Sequence, residues 1–172
     1  SKTGASPLLT YTVDNTSNGD ETSSDRTKRK QLTGLLDLNG HEMLAPVYKN
    51  LFCGDSVIIV TDTNDYEGLM DFKGEWIRPI SPLYTYDNYY DDFYVSITER
   101  RTRLQGLISD DGKIVLPIEY QEVWSLYPVE GLIKAKDRSG LWGIMDAHFQ
   151  LLIPHRYTEL NELRGLGGFG YF

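Results

Sequence analysis

Short apolar runs separated by turn residues dominate this chain, and no window of 11 or more residues carries a clean 3.6-residue period. LLTYTV at 8–13, VIIV at 57–60, FYVSIT at 93–98 and GLIKAK at 131–136 are rich in β-branched and aromatic residues and alternate in part, which predicts strands. Only YTELNELRG at 157–165 has room for a short helical turn.

The runs belong to a repeat. GLLDLNG begins at Gly34, GLMDFKG at Gly68, GLISDDG at Gly106 and GIMDAHF at Gly143, spaced 34, 38 and 37 residues apart. A proline follows each glycine by 11 or 12 positions (Pro46, Pro79, Pro117, Pro154), and a tyrosine follows by 14 in three copies (Tyr48, Tyr120, Tyr157). The second copy departs, with Pro82 at the tyrosine position and Tyr84 two residues later.

Each copy reads as an apolar run, a D-x-x-G turn, and a second arm ended by proline, which cannot donate to a ladder. A third strand then appears as SVIIVTD, FYVSITE or GLIKAKD, so three strands per repeat are expected. The predicted fold is all-β: tandem three-stranded antiparallel repeats of about 36 residues in an open twisted array. Propeller-like closure is the alternative, but four units are few and blades usually need four strands.

On this reading residues 1–172 form one repeat domain. Residues 1–33 are a partial first unit with an exposed loop at 15–28, and the repeats occupy 34–67, 68–105, 106–142 and 143–160. Residues 161–172 are a terminal cap or tail.

Composition narrows the functional classes. The net charge of -8 argues against a nucleic-acid binder, whose affinity rests on clustered Lys and Arg, and suits either solubility or the attraction of a basic partner. One cysteine, Cys53, cannot build a disulfide framework or a cysteine zinc site, and its LFCGD context suggests a small buried strand residue. No run is apolar enough for a membrane helix, and no signal-peptide layout opens the chain, which points to the cytoplasm. The chain starts with Ser, so an envelope location with a removed signal stays open.

With glycine, D-x-x-G, proline and tyrosine in register, residues 34–160 resemble the WG-repeat (KWG) family of bacterial tandem β modules. The Trp-Gly pair that names the family stands only at Trp142-Gly143; Thr33, Glu67 and Gln105 precede the other glycines. The resemblance implies interaction surfaces and no catalytic residues or cofactors.

The candidate partner-binding segment is LYTYDNYYDDFY at 83–94, with Tyr84, Tyr86, Asp87, Tyr89, Tyr90, Asp91, Asp92 and Tyr94. Tyrosines give rigid contact area and the aspartates suit Arg or Lys of a partner; the same tyrosines would also line the packing face of a strand. DTNDYEGLMD at 62–71 has Glu67 where an EF-hand needs glycine and is followed by Lys73 where it needs glutamate, so it reads as a polar turn. Gly165, Gly167 and Gly170 have no room for the helix a dinucleotide site needs. His41, His148 and His155 show no metal spacing, and the basic runs at 25–30 and 99–104 suit guarded strand edges. The sequence therefore points to a non-enzymatic protein-binding module, in sharper form a bacterial immunity or inhibitor protein that neutralises a basic toxin. The alternative is an envelope or surface domain binding glycans or peptides through Trp76, Trp124 and Trp142.

Overall fold

The structure is a computed structural model that describes residues 8–15, 30–54, 56–88, 94–126 and 131–160. Among these residues there are strands and turns and no helix. The first sheet holds β1 (Leu9–Asn15), β2 (Lys30–Leu36) and β3 (Glu42–Tyr48). The second holds β4 (Asn50–Cys53), β5 (Ile58–Thr61), β6 (Glu67–Met70) and β7 (Trp76–Ser81). The third holds β8 (Tyr84–Asn88), β9 (Tyr94–Glu99), β10 (Gln105–Ser109) and β11 (Ile114–Tyr120). The fourth holds β12 (Glu122–Ser125), β13 (Ile133–Lys136), β14 (Trp142–Met145) and β15 (Leu151–Tyr157). Every sheet is an antiparallel meander, and none closes into a barrel.

The all-β tandem architecture and the open array match the sequence reading, but the strand count differs. Each complete sheet has four strands where three were expected. The added strand is the short segment just after the tyrosine position, NLFC, YTYDN or EVWS, too short and too polar to show an apolar run of its own. Each repeat glycine lies in the strand before the last of its sheet, β2, β6, β10 or β14, so a sheet joins the end of one sequence repeat to the start of the next. The loop expected at 15–28 joins β1 to β2, which pair as two hairpin arms from Leu9↔Leu36 to Asn15↔Lys30; residues 16–29 lie outside the described set.

The prolines do not end the second arms. Pro46, Pro79, Pro117 and Pro154 lie inside β3, β7, β11 and β15, the last strand of each meander, where a missing N–H is tolerated at an edge. Beside each proline the register shifts. Gln105 pairs with Tyr120 and Leu107 with Leu116, so β11 is bulged, and β3 and β15 repeat the same offset. In β7 the bulge is one residue shorter, Glu67↔Ser81 against Leu69↔Arg78, which is the physical form of the second copy's departure.

The bulge also explains the repeat glycines. A Cβ on Gly106 would lie 2.5 Å from the Leu116 carbonyl oxygen and 2.8 Å from that of Pro117. On Gly68 it would meet the Ile80 nitrogen at 2.7 Å, and on Gly143 the Ile153 oxygen at 2.8 Å. The bulged strand thus presses its backbone onto a position that only glycine can occupy.

Three cores lie between successive sheets. Leu35, Leu51, Ile58, Val60 and Met70 fill the space between the first and second sheets. Val57, Ile59, Leu69, Tyr86, Val95, Ile97 and Ile108 fill the next, and Leu107, Leu116, Val123, Ile133, Ala135 and Met145 the last. Neighbouring residues of one strand serve different cores: Ile58 and Ile59, Met70 and Leu69, Ile108 and Leu107. The inner sheets are therefore buried on both faces, which is why their strands are unbroken apolar runs. Each fully buried aliphatic side chain contributes about 1.5–3 kcal/mol. Cys53, expected inside, stands exposed at the end of β4.

Side chains before the repeat glycines tie sheets together. The Glu67 carboxylate accepts the Tyr86 N–H at 2.8 Å, and the Gln105 carbonyl accepts the Val123 N–H at 3.0 Å. At the same position in the fourth sheet stands Trp142, with the Lys134 and Lys136 ammonium groups 4.3 and 5.3 Å from its ring. Register places Lys134 where the inner sheets carry the buried Ile59 and Ser96. The outer face of the fourth sheet is thus overlaid by lysine stems.

The turns follow the expected chemistry. The Asp37, Asp71 and Asp146 carboxylates each accept two backbone N–H groups of their own turn at 2.8–2.9 Å. Gly40, Gly74 and Gly112 take φ near 80–87°, and Phe149 holds the corresponding place at φ 59°, where its ring packs on Tyr94. The Asp62 carboxylate likewise accepts the Asn64 and Tyr66 N–H groups, so 62–73 is a capped turn followed by a strand.

Two predictions follow from these contacts. Gly106→Ala, which drives a methyl into the bulge, is expected to lower the unfolding free energy by about 1–3 kcal/mol, read from urea denaturation. The second concerns acid. Asp37 is lowered to about 2, foremost by the His41 amide, and Asp111 to about 2, foremost by the Lys113 ammonium. A carboxylate lowered in the fold stabilises above its unfolded value near 4 and loses that contribution as pH falls toward 2. The thermal midpoint is expected to drop across that window, and less steeply in Asp37→Asn.

Candidate functional site

Only part of the tyrosine-aspartate segment falls on described residues, and the tyrosines among these pack inward. Tyr84 and Tyr86 share one face of β8. Tyr86 is buried in the core between the second and third sheets, and burial pushes its hydroxyl pKa up. Tyr84 packs against the same core with the Arg78 guanidinium 5.6 Å from its ring. Tyr94 sits on the other side of the third sheet, its ring 5.4 Å from that of Phe149. Asp87 is exposed, while Tyr89, Tyr90, Asp91 and Asp92 lie outside the described residues.

A second place breaks the repeat's rule. An open cleft of about 420 Å³ lies where the end of β11 meets the fourth sheet, lined by Glu119, Tyr120, Asp137, Arg138, Ser139 and His155. His155, on β15, lies 12 residues after its repeat glycine, where the two preceding copies carry Ile80 and Ile118 against a core. Its ring rests over Gly143, with carbons 2.8 and 3.0 Å from where a Cβ would be, and lies 5.9 Å from the Tyr120 ring at 32°. The Nε2 atom of His155 is buried with no hydrogen-bond partner among the described residues.

The acidic side of the cleft is rigid. Asp137 accepts the Ser139 hydroxyl at 2.6 Å and the Ser139 and Leu141 N–H groups at 2.9 and 3.0 Å. The Ser139 hydroxyl is the leading cause that holds the Asp137 carboxyl below its usual range. Burial raises the Tyr120 hydroxyl, and the nearby Glu119 and Asp137 charges raise it further. Gln121 donates to the Arg138 carbonyl at 3.1 Å and fixes the turn. Such a site suits the holding of a polar or cationic group. The Ser139 hydroxyl is spent on a carboxylate, and Asp137 is held ionised rather than moved toward neutral pH.

The family model described as WG containing repeat matches residues 106–138, from the glycine of β10 to the turn after β13. Residues 106–138 are thus similar to a WG repeat. No curated protein matches the chain. The matched segment contributes Glu119, Tyr120, Asp137 and Arg138 to the cleft, and the following unit contributes His155. Its glycine is the one locked beneath the Leu116 and Pro117 carbonyls, and the residue before that glycine, Gln105, forms a cross-sheet hydrogen bond.

Spacing among the three histidines gives no sign of the cleft. The signal lay in comparing His155 with Ile80 and Ile118 in the same column of the repeat.

Scaffold and surface separate experimentally along β8. Tyr86→Ala is expected to cost about 3–5 kcal/mol of stability, whereas Asp87→Lys should stay within about 0.5 kcal/mol, both by chemical denaturation.

Proposed function

We propose that this chain is a non-enzymatic protein-binding repeat module for a basic partner, and in its sharpest form an immunity or inhibitor protein that neutralises a cationic toxin. The observation that carries this reading is the state of the carboxylates. Asp37, Asp111, Asp137 and Glu122 are all held below their ordinary values, by turn amides, hydroxyls or lysines. They stay ionised and stand on rigid turns and strand ends, in a chain of net charge -8. A fixed acidic surface attracts a cationic protein at long range and speeds its capture.

The interior supports the same reading. The inner sheets spend both faces on packing against their neighbours, which leaves turns, edges and clefts as the places for recognition. The tyrosine-aspartate segment at 83–94 stays a candidate contact surface through Asp87 and the residues that follow it.

Affinity capture from the native source at low and then moderate salt tests the reading. A basic protein should be retained at low salt and weakened by salt, with binding reduced when Asp87, Asp91 and Asp92 are changed together to Lys. For the toxin form, co-expression should rescue growth against the product of a neighbouring toxin gene. Glycan binding that is lost in Trp124→Ala, with no protein captured, would move the reading to a surface ligand domain.

A further inference from the structure

We propose that the cleft between the third and fourth sheets receives an arginine side chain of a protein partner, its guanidinium held beside the Tyr120 and His155 rings by the Glu119 and Asp137 carboxylates. The proposal rests on the reading of the chain as a binder of basic proteins and assigns that reading a specific pocket.

His155 is the starting point. An isoleucine fills its position in the two preceding units, so packing alone does not call for an imidazole. The imidazole also leaves Nε2 buried and without a partner among the described residues, a state that costs stability and that isoleucine avoids. What the exchange gains is a flat aromatic wall: the His155 and Tyr120 rings lie 5.9 Å apart and tilted by 32° at the edge of an open cleft.

The remaining lining selects charge. Glu119 and Asp137 outnumber the single permanent cation, Arg138, which is exposed and belongs to a turn fixed through its carbonyl by Gln121. Asp137 is braced by three donors of its own turn, so the carboxylate is in place before any ligand arrives. Rings beside paired carboxylates match a planar, delocalised cation better than a compact, strongly hydrated ammonium. A carboxylate ligand would meet like charge. A volume of about 420 Å³ accommodates one long side chain.

The test uses the full chain and a short arginine peptide, blocked at both ends, with its lysine and citrulline counterparts as controls. Amide and aromatic resonances are followed by NMR titration in the wild type, Glu119→Gln and His155→Ile. Saturable shifts at Tyr120, Ser139 and His155 are expected with the arginine peptide, weaker ones with lysine and none with citrulline. Glu119→Gln should weaken binding at least about fivefold. His155→Ile should weaken it as well while raising the thermal midpoint, so a loss of binding there is not a loss of folding. Equal response to citrulline, or unchanged binding in both variants, overturns the proposal. A basic partner captured equally well by wild type and both variants overturns the cleft while leaving the broader reading intact. Saturable arginine binding with no basic protein captured supports the cleft and removes the broader reading.

Discussion

The press of the bulged last strand onto the glycine of the strand before it is the contact on which each unit depends. With two residues of β10 spanning four of β11, the Leu116 and Pro117 carbonyls swing over Gly106 and occupy the space of a side chain. Proline suits the bulge because it has no N–H to leave unpaired, and glycine suits the opposite position because it has no Cβ. The two most regular features of the repeat are thus two halves of one contact. That contact recurs in all four sheets with small changes in offset.

Stacking multiplies the effect. The middle strands of the inner sheets are covered on both sides, and Ile58–Ile59, Leu69–Met70 and Leu107–Ile108 divide their side chains between the core behind and the core ahead. Glu67 and Gln105 add a polar link at the same interfaces by accepting a backbone N–H from the first strand of the next sheet. Stability then passes from neighbour to neighbour, as in other repeat arrays. On its outer face the fourth sheet meets no further core among the described residues, and Lys134 and Lys136 lay apolar stems over Trp142 while their ammonium groups reach the Leu160 carbonyl and the Glu122 carboxylate.

Much of this was legible in the chain. Four glycines, the turns that follow them and their prolines located the last two strands of each sheet, and the runs VIIV and FYVSIT located the strand before them. The first strand was not legible, because NLFC and EVWS are four-residue strands with one buried side chain each, Leu51 or Val123, and one point sets no period. The proline's role was misread for a related reason. Its missing donor says that it cannot pair there, and only the partner strand reveals that the ladder resumes two or three residues later. The tyrosines of 83–94 divided along a line the sequence could not draw: in β8 alternation sends Tyr84 and Tyr86 inward and leaves Asp87 outside.

The cleft at His155 shows how a repeat exposes its own exceptions. In the second and third sheets the position one residue beyond the bulge proline is filled by Ile80 or Ile118, each packed against a core. In the fourth sheet that same position carries a ring with an unpartnered nitrogen, and the facing residue of the previous sheet is Tyr120. Selection for packing alone removes such a nitrogen, since the apolar answer stands in the two units before it. The cost stays local, because the turn that frames the cleft is held by Asp137 and Gln121 hydrogen bonds that do not involve the imidazole. A scaffold of near-equivalent units can therefore carry a locally unfavourable group without losing its fold, and the third interface is where this chain does so.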